Sequence, residues 1–296
     1  MRIFVTGASG WIGSALVPEL IGAGHRVLGL ARSDASAKAV ADLGAEVLRG
    51  DLNDLDVLRA GALDSDGVIH LAFVVPSTSE AATRTDAKAI ETFATSLAGS
   101  GKPLVVSGGT LVRPGRPSTE RDELIAAGPI AARITNMRAA LAAADTGVRS
   151  CLVMLPRSVH GEGERHGFIP QLIATARTKG VSGYIGDGTS RWPAVHVKDA
   201  ARLYRLALEQ APAGAVLNAV GDEGVPVREI AEAIGRHLNL PARSLAATDY
   251  AGMLVHLLST DMPASSAITR ELLDWQPTRP GLIEDLEQGH YFITDH

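Results

Sequence analysis

Over residues 1–155 the chain alternates short aliphatic and β-branched runs with longer amphipathic stretches, the pattern of a parallel sheet covered on both faces. Six strands are predicted, at Arg2–Thr6, Arg26–Ala31, Ala45–Leu48, Gly67–Leu71, Pro103–Ser107 and Arg149–Leu155. Helices fall near 11–23, 36–43, 54–60, 83–98 and 129–144. In the helix at 129–144, Ile130, Ile134, Met137 and Leu141 form one apolar stripe that faces either the sheet or a second subunit. After Leu155 the rhythm breaks into Gly- and Pro-rich loops, a helix near 169–179 and a turn at Tyr184-Ile185-Gly186-Asp187-Gly188. A helix at 198–209 and a strand at Ala215–Val220 restore the pattern briefly. The remainder reads as mainly helical, with segments at 227–238, 248–258 and 265–273.

The first strand runs directly into Thr6-Gly7-Ala8-Ser9-Gly10-Trp11-Ile12-Gly13 and then into a helix. That order suits a dinucleotide: the first glycine permits the tight turn, the second admits pyrophosphate to the backbone N–H groups, and the third lets helix pack on strand. The expected fold class is therefore α/β, a Rossmann doubly wound parallel sheet over 1–155 that 194–221 rejoins. A smaller, mainly helical region, 156–193 and 222–296, is expected to bind substrate.

Composition narrows the partners. The chain has 296 residues, 46% hydrophobic and 21% charged, with a net charge of −5 and no basic tract, which argues against nucleic acid and anionic membrane surfaces. No apolar run reaches the ~18 residues of a spanning helix, and Met1 leads straight into a strand without a signal peptide, so a cytoplasmic protein is expected. The single cysteine, Cys151, lies in a strand-like run and reads as a buried, inert thiol.

These motifs resemble the extended short-chain dehydrogenase/reductases, the NAD(P)-dependent epimerase/dehydratase group. The matching residues are the glycine turn, Asp51-Leu52, His70-Leu71-Ala72, Leu155-Pro156-x-x-Val159-His160-Gly161, Val195-His196-Val197-x-Asp199, and the tail from Ser265 to Pro277. The resemblance implies that Thr6, Gly7, Ser9, Gly10, Trp11, Ile12, Gly13, Arg32, Ser33, Asp51, Leu52, Leu71, Ala72, Phe73, Ser107, Pro156 and Val159 contact the cofactor. It also implies a homodimer through the helices at 83–98 and 129–144. The second strand ends Ala31-Arg32-Ser33 where an acid would hold the adenosine ribose, so NADP(H) is expected in preference to NAD(H). The alternative leaves Arg32 solvated and gives the ribose to Asp34. Asp51 suits either the adenine or an N-cap.

The departure from the family concerns chemistry. Members use a Tyr-x-x-x-Lys pair on the fifth helix, whereas this chain has no tyrosine before Tyr184 and no lysine in that helix. The candidates left to move a proton are Thr110, in Ser107-Gly108-Gly109-Thr110, with His160, His166 and Tyr184. Tyr184 and Arg191-Trp192 are candidates to face substrate, Trp192 equally a core residue, and His196 is expected to order a loop beside Asp199. His160 and His166, without cysteine or carboxylate at ligand spacing, do not read as a metal site. Three functions stay open: an NADPH-dependent reductase of a small organic carbonyl, enone or quinone-like molecule; a nucleotide-sugar epimerase or dehydratase; and a non-catalytic NADP(H)-binding sensor or scaffold.

Overall fold

The computed structural model describes residues 1–73, 80–250 and 252–293. The chain order begins β1 (Arg2–Thr6), α1 (Trp11–Gly22), β2 (Arg26–Ala31), α2 (Asp34–Asp42), β3 (Glu46–Arg49), α3 (Leu55–Leu63), β4 (Gly67–His70) and α4 (Glu80–Leu97). It continues with β5 (Pro103–Gly109), α5 (Ala131–Ala142), β6 (Arg149–Leu155), β7 (Ser158–His160), α6 (Phe168–Lys179), β8 (Ser182–Ile185), β9 (Arg191–His196) and α7 (Val197–Gln210). The last elements are β10 (Ala215–Asn218), β11 (Asp222–Pro226), α8 (Val227–Leu238), β12 (Ala242–Leu245), α9 (Met253–Ser259), α10 (Ala267–Leu273) and α11 (Leu282–Glu287).

Seven parallel strands form the main sheet in the order β10-β6-β5-β4-β1-β2-β3. The order reverses between β1 and β4, and ligands of such sheets bind outside the carboxyl ends of the strands at that point. Because side chains alternate across a strand, Ile3 and Val5 join one core with Leu16, Val17 and Tyr204, while Phe4 joins another with Leu58 and Phe93. Both faces are covered, which explains the nearly unbroken apolar letters of β1 and β6. The α5 stripe is used internally: Ile134 and Met137 enter the second core, and Ile130 stays exposed.

The expected strands and helices of the first half are present, with small shifts; β3 starts at Glu46 rather than Ala45. The later region holds more strand than its sequence suggested. β7, β9 and β11 form a three-stranded sheet, and β8 pairs with β12. β11 reads Asp-Glu-Gly-Val-Pro and β12 Ala-Arg-Ser-Leu, neither with an apolar alternation to betray a strand. The helix expected at 248–258 is a single turn at Ala247–Asp249 followed by the separate α9. Trp192 and Ile230 anchor a third core here. Leu273 and Trp275 return to the first core, where Trp275 Nε1 donates to the Asp199 carbonyl at 3.1 Å. Among the described residues no helix is long and apolar enough to cross a membrane.

The C-terminal segment is fastened to the loop after β7 by buried polar groups. His160 Nδ1 bonds Asp285 Oδ2 at 2.9 Å, and His290 Nε2 bonds Asp285 Oδ1 at 3.0 Å. Tyr291 accepts from the Gly161 N–H at 3.0 Å and donates to Glu164 Oε2 at 2.6 Å. Burial pushes the Glu164 carboxyl up to about 7, against the pull of the Tyr291 hydroxyl. A carboxyl raised by folding stays protonated in the native state while the unfolded chain has already ionised. Its contribution to stability is therefore greatest in acid, below the unfolded carboxylate range, and is lost as pH rises through about 7. Glu164→Gln is expected to flatten that slope and to stabilise the protein at about pH 8 by on the order of 1–3 kcal/mol. Urea midpoints of both forms at about pH 5 and pH 8 measure it.

Candidate functional site

The glycine turn is shaped by backbone crowding. Gly7 has φ +71°, and a Cβ there would lie 2.8 Å from the Ala72 nitrogen; one on Gly13 would lie 2.2 Å from the Gly7 carbonyl oxygen. Gly10, at φ −81°, closes the turn by donating its N–H to that same oxygen at 2.9 Å. It is also the N-cap residue of α1, which has no side-chain cap and no acidic residue in its first turn. The N–H groups of that turn and the positive end of the helix are thus available to an anion beside exposed Ser9 and Gly10. Trp11 Nε1 donates to the Val159 carbonyl at 2.7 Å, joining α1 to the start of the second lobe, and Ile12 packs on the first core.

Behind the turn runs a buried line of polar groups. The Ala72 N–H donates to Thr6 Oγ1 at 3.2 Å, and the Thr6 hydroxyl in turn lies 2.7 Å from His70 Nδ1. His70 Nε2 then donates to Asp86 Oδ1 at 3.2 Å, and Asn136 Nδ2 donates to Asp86 Oδ2 at 2.7 Å. The line joins β1, β4, α4 and α5. Sequence reading found Thr6 and His70 but neither Asp86 nor Asn136, which are 50 residues apart.

At the end of β2, Arg32 is exposed and makes no ion pair among the described residues. Ser33 caps α2, its hydroxyl accepting from the Ser36 N–H at 3.2 Å. Asp34 is turned to Arg49, at 2.8 Å, a second cation at the end of β3 that sequence reading passed over. Asp51 Oδ1 accepts from the Asn53 N–H and side-chain amide at 3.0 and 2.6 Å. The N-cap of α3 is Asp54 rather than Asp51, because the chain makes a turn at 51–53 before the helix begins. Leu52 is buried in the second core.

Beyond β4, Leu71, Ala72 and Phe73 line the carboxyl edge, and the Arg133 guanidinium from α5 lies 4.1 Å over the Phe73 ring. Ser107 donates to the His70 carbonyl at 3.0 Å, leaving the buried Tyr204 hydroxyl to donate to Ser107 at 2.7 Å. Thr110 follows β5. Its N–H bonds the Leu155 carbonyl at 2.9 Å, while its buried hydroxyl has no hydrogen-bond partner among the described residues. A Cβ on Gly109 would meet nothing within 4 Å among the described residues.

The other three acid/base candidates lie on elements outside the main sheet. His160 is fully buried on β7, with Nδ1 committed to Asp285 and Nε2 unpartnered among the described residues. His166 is exposed in the following loop. Tyr184 lies on β8, under the Arg228 guanidinium at 5.1 Å. Pro156 is buried and Val159 partly so. Trp192 is a core residue bonded to the Leu257 carbonyl, Arg191 pairs with Asp261 at 2.8 Å, and His196 caps α7 by accepting from the Lys198 N–H. Burial holds the Cys151 thiol up at about 12, so it is inert.

The model of the NAD-dependent epimerase/dehydratase family matches residues 3–221. The chain belongs to that family. Members of the epimerase/dehydratase family are NAD(P)-dependent enzymes of the short-chain dehydrogenase/reductase type. It is 43% identical to an uncharacterized protein of Saccharomyces cerevisiae over 98% of this chain and 99% of that one. It is 30% identical to the 4-hydroxy-2-methyl-3-oxo-4-farnesyl-3,4-dihydroquinoline-1-oxide ketoreductase of Stigmatella aurantiaca, over 73% of this chain and 67% of that protein. The structure of MoeE5 in complex with UDP-glucose and NAD is similar at TM-score 0.77 and 25% identity, covering 99% of this chain and 98% of that one.

The residues of this epimerase/dehydratase chain fit a dinucleotide. The helix end is uncapped, the turn leaves no side chain over it, and an unpaired arginine stands at the end of β2. Of the three turn glycines, Gly10 alone has a Cβ direction that approaches nothing closer than 3.2 Å. A side chain there is expected to leave the fold intact while covering the anion site. Gly10→Val should keep its thermal midpoint within a few degrees and weaken dinucleotide binding by about a hundredfold or more, ~2.7 kcal/mol. Fluorescence titration beside a melting curve checks both; unchanged affinity would remove the turn from the binding site.

Proposed function

We propose that the chain is an NADPH-dependent reductase of a small organic carbonyl, enone or quinone-like substrate that works without the family's tyrosine. The observation that carries the reading is the contrast between two ends of one site. The dinucleotide turn is intact, while α5 carries neither phenol nor ammonium. The ketoreductase likeness supports reduction as the reaction. Nucleotide-sugar epimerisation is disfavoured, since that chemistry leans on the missing tyrosine. A role in the cytoplasm accords with the lone buried thiol.

In this reading the first-turn N–H groups around Gly10, Trp11 and Ile12 hold the pyrophosphate, Leu52 and Asp51 flank the adenine, and Arg32, with Arg49 beside it, receives a 2′-phosphate. NADPH bound there supplies a hydride. Thr6, Leu71, Ala72, Phe73 and Ser107 form the floor beneath it, and Pro156 with Val159 closes the far wall. Thr110 is the proton-bearing candidate best placed at the carboxyl edge, its hydroxyl being buried and without a partner among the described residues. A dimer would use the outward faces of α4 and α5, where Arg84, Lys88, Ala132 and Ala139 are exposed.

The commitment of His160 to Asp285 and the place of Tyr184 on β8, outside the main sheet, favour a second reading, a non-catalytic NADP(H)-binding protein. A panel of carbonyls, enones and quinones with NADPH separates the two: no oxidation of bound NADPH by any of them selects the second. NADPH is expected to bind at least about tenfold more tightly than NADH, ~1.4 kcal/mol. Arg32→Ala should erase that difference; equal affinities in the wild type would show that the arginine does not reach the phosphate. With a substrate in hand, Thr110→Val is expected to lower kcat by about a hundredfold at unchanged NADPH affinity.

A further inference from the structure

Among the described residues, the partly buried arginines are each satisfied by an acceptor, with one exception. Arg149 donates to the Leu208 and Ala211 carbonyls, Arg157 to Leu257, Arg191 to Asp261, Arg205 to Glu19 and Glu209, and Arg270 to Val220 and Gly221. Arg133 differs. Its guanidinium lies over the Phe73 ring at 4.1 Å, yet among the described residues it has no hydrogen-bond acceptor and no ion-pair partner. The nearby carboxylate, Asp86, spends one oxygen on His70 and the other on Asn136. The stretch 74–79 contains no acidic residue.

A guanidinium carries five donors in a planar fork, and stacking on an aromatic face leaves that fork free at its edge. Removing such a group from water without an acceptor is costly, so its retention on α5 calls for a ligand that supplies one. Desolvation lowers its pKa, while Asp86 and the Tyr204 hydroxyl act in the opposite direction. Tyr204 bonds Ser107, so the cation sits near the carboxyl ends of β4 and β5, where, among the described residues, nothing faces Gly109 and the Thr110 hydroxyl has no partner.

We propose that Arg133 is the anion-holding residue of the acceptor pocket, and that the molecules this site takes carry a carboxylate. The assignment rests on the reductase reading above. The cofactor's own anions already have places, the pyrophosphate on the first turn of α1 and the 2′-phosphate at Arg32. The charge facing Arg133 therefore comes with the second ligand. A carboxylate accepts two parallel N–H bonds from one guanidinium, a match that a neutral ester lacks.

Calorimetric titration of the NADP⁺-saturated protein with pyruvate, benzoate and phenylglyoxylate, each against its methyl ester, tests this. At least one acid is expected to bind roughly tenfold more tightly than its ester. Arg133→Met should abolish that preference and Arg133→Lys retain part of it, both with NADP⁺ affinity within about twofold of wild type. Equal binding of acids and esters, binding of neither, or a preference that survives in Arg133→Met overturns the proposal. So does a loss of NADP⁺ affinity in both variants, which would assign the guanidinium to the cofactor. A wild-type protein that binds no NADP⁺ at all brings down the reductase reading first, and is told apart from the other outcomes at the loading step.

Discussion

The site depends on how closely three pieces of backbone approach one another. The Gly7 carbonyl stands where a Cβ of residue 13 would be, and the Ala72 nitrogen stands where a Cβ of residue 7 would be. Bare positions at 7 and 13 let α1 lie down on β1 and let β1 meet the end of β4. That contact aims the uncapped end of α1 along the carboxyl edge of the sheet, and the Thr6-His70-Asp86-Asn136 line fixes the edge from behind. The anion site is therefore a by-product of packing, and it needs no charged side chain of its own.

At the other end of the cleft this chain departs from its family. The fifth helix spends Ile134 and Met137 on the core and Asn136 on Asp86, as a helix in this place must, yet it presents an arginine where the chemistry usually has a phenol and an amine. An arginine is a poor proton donor at neutral pH because it stays charged, whereas it is a strong holder of oxygen anions. The helix has kept an electrostatic contribution and given up an acid/base one. The Thr110 hydroxyl, without a partner among the described residues, lies on the neighbouring strand end, so what polar chemistry remains there is distributed between elements.

The first half of the fold was legible because each element there carries its own signal. β1 and β6 are apolar on both faces, and the turn between β1 and α1 needs glycines that no other purpose explains. β11 and β12 lacked such a signal, since they are held by pairing to β9 and β8 and their letters are those of a loop. Among candidate site residues, the glycine turn and the bare end of β2 carry their signal in the sequence itself. Asp86, Asn136, Arg49 and Arg133 could not, because their partners are brought together only by the folded sheet. His160 also has a partner that its motif did not announce: its Nδ1 bonds Asp285, 125 residues away.

The fastening of Tyr291 and Asp285 to the loop at 160–164 also has a bearing on synthesis. The Val159 carbonyl at the start of that loop holds Trp11, in the first turn of α1. The opening and closing stretches of the chain thus meet across one short loop. A ribosome releases the glycine turn and most of the main sheet long before residue 285, so the nascent chain exposes an anion-binding helix end whose outer wall is not yet pinned. The edge beside Val159 acquires its final shape only when Asp285 and Tyr291 have docked, which makes that docking a condition for pinning it.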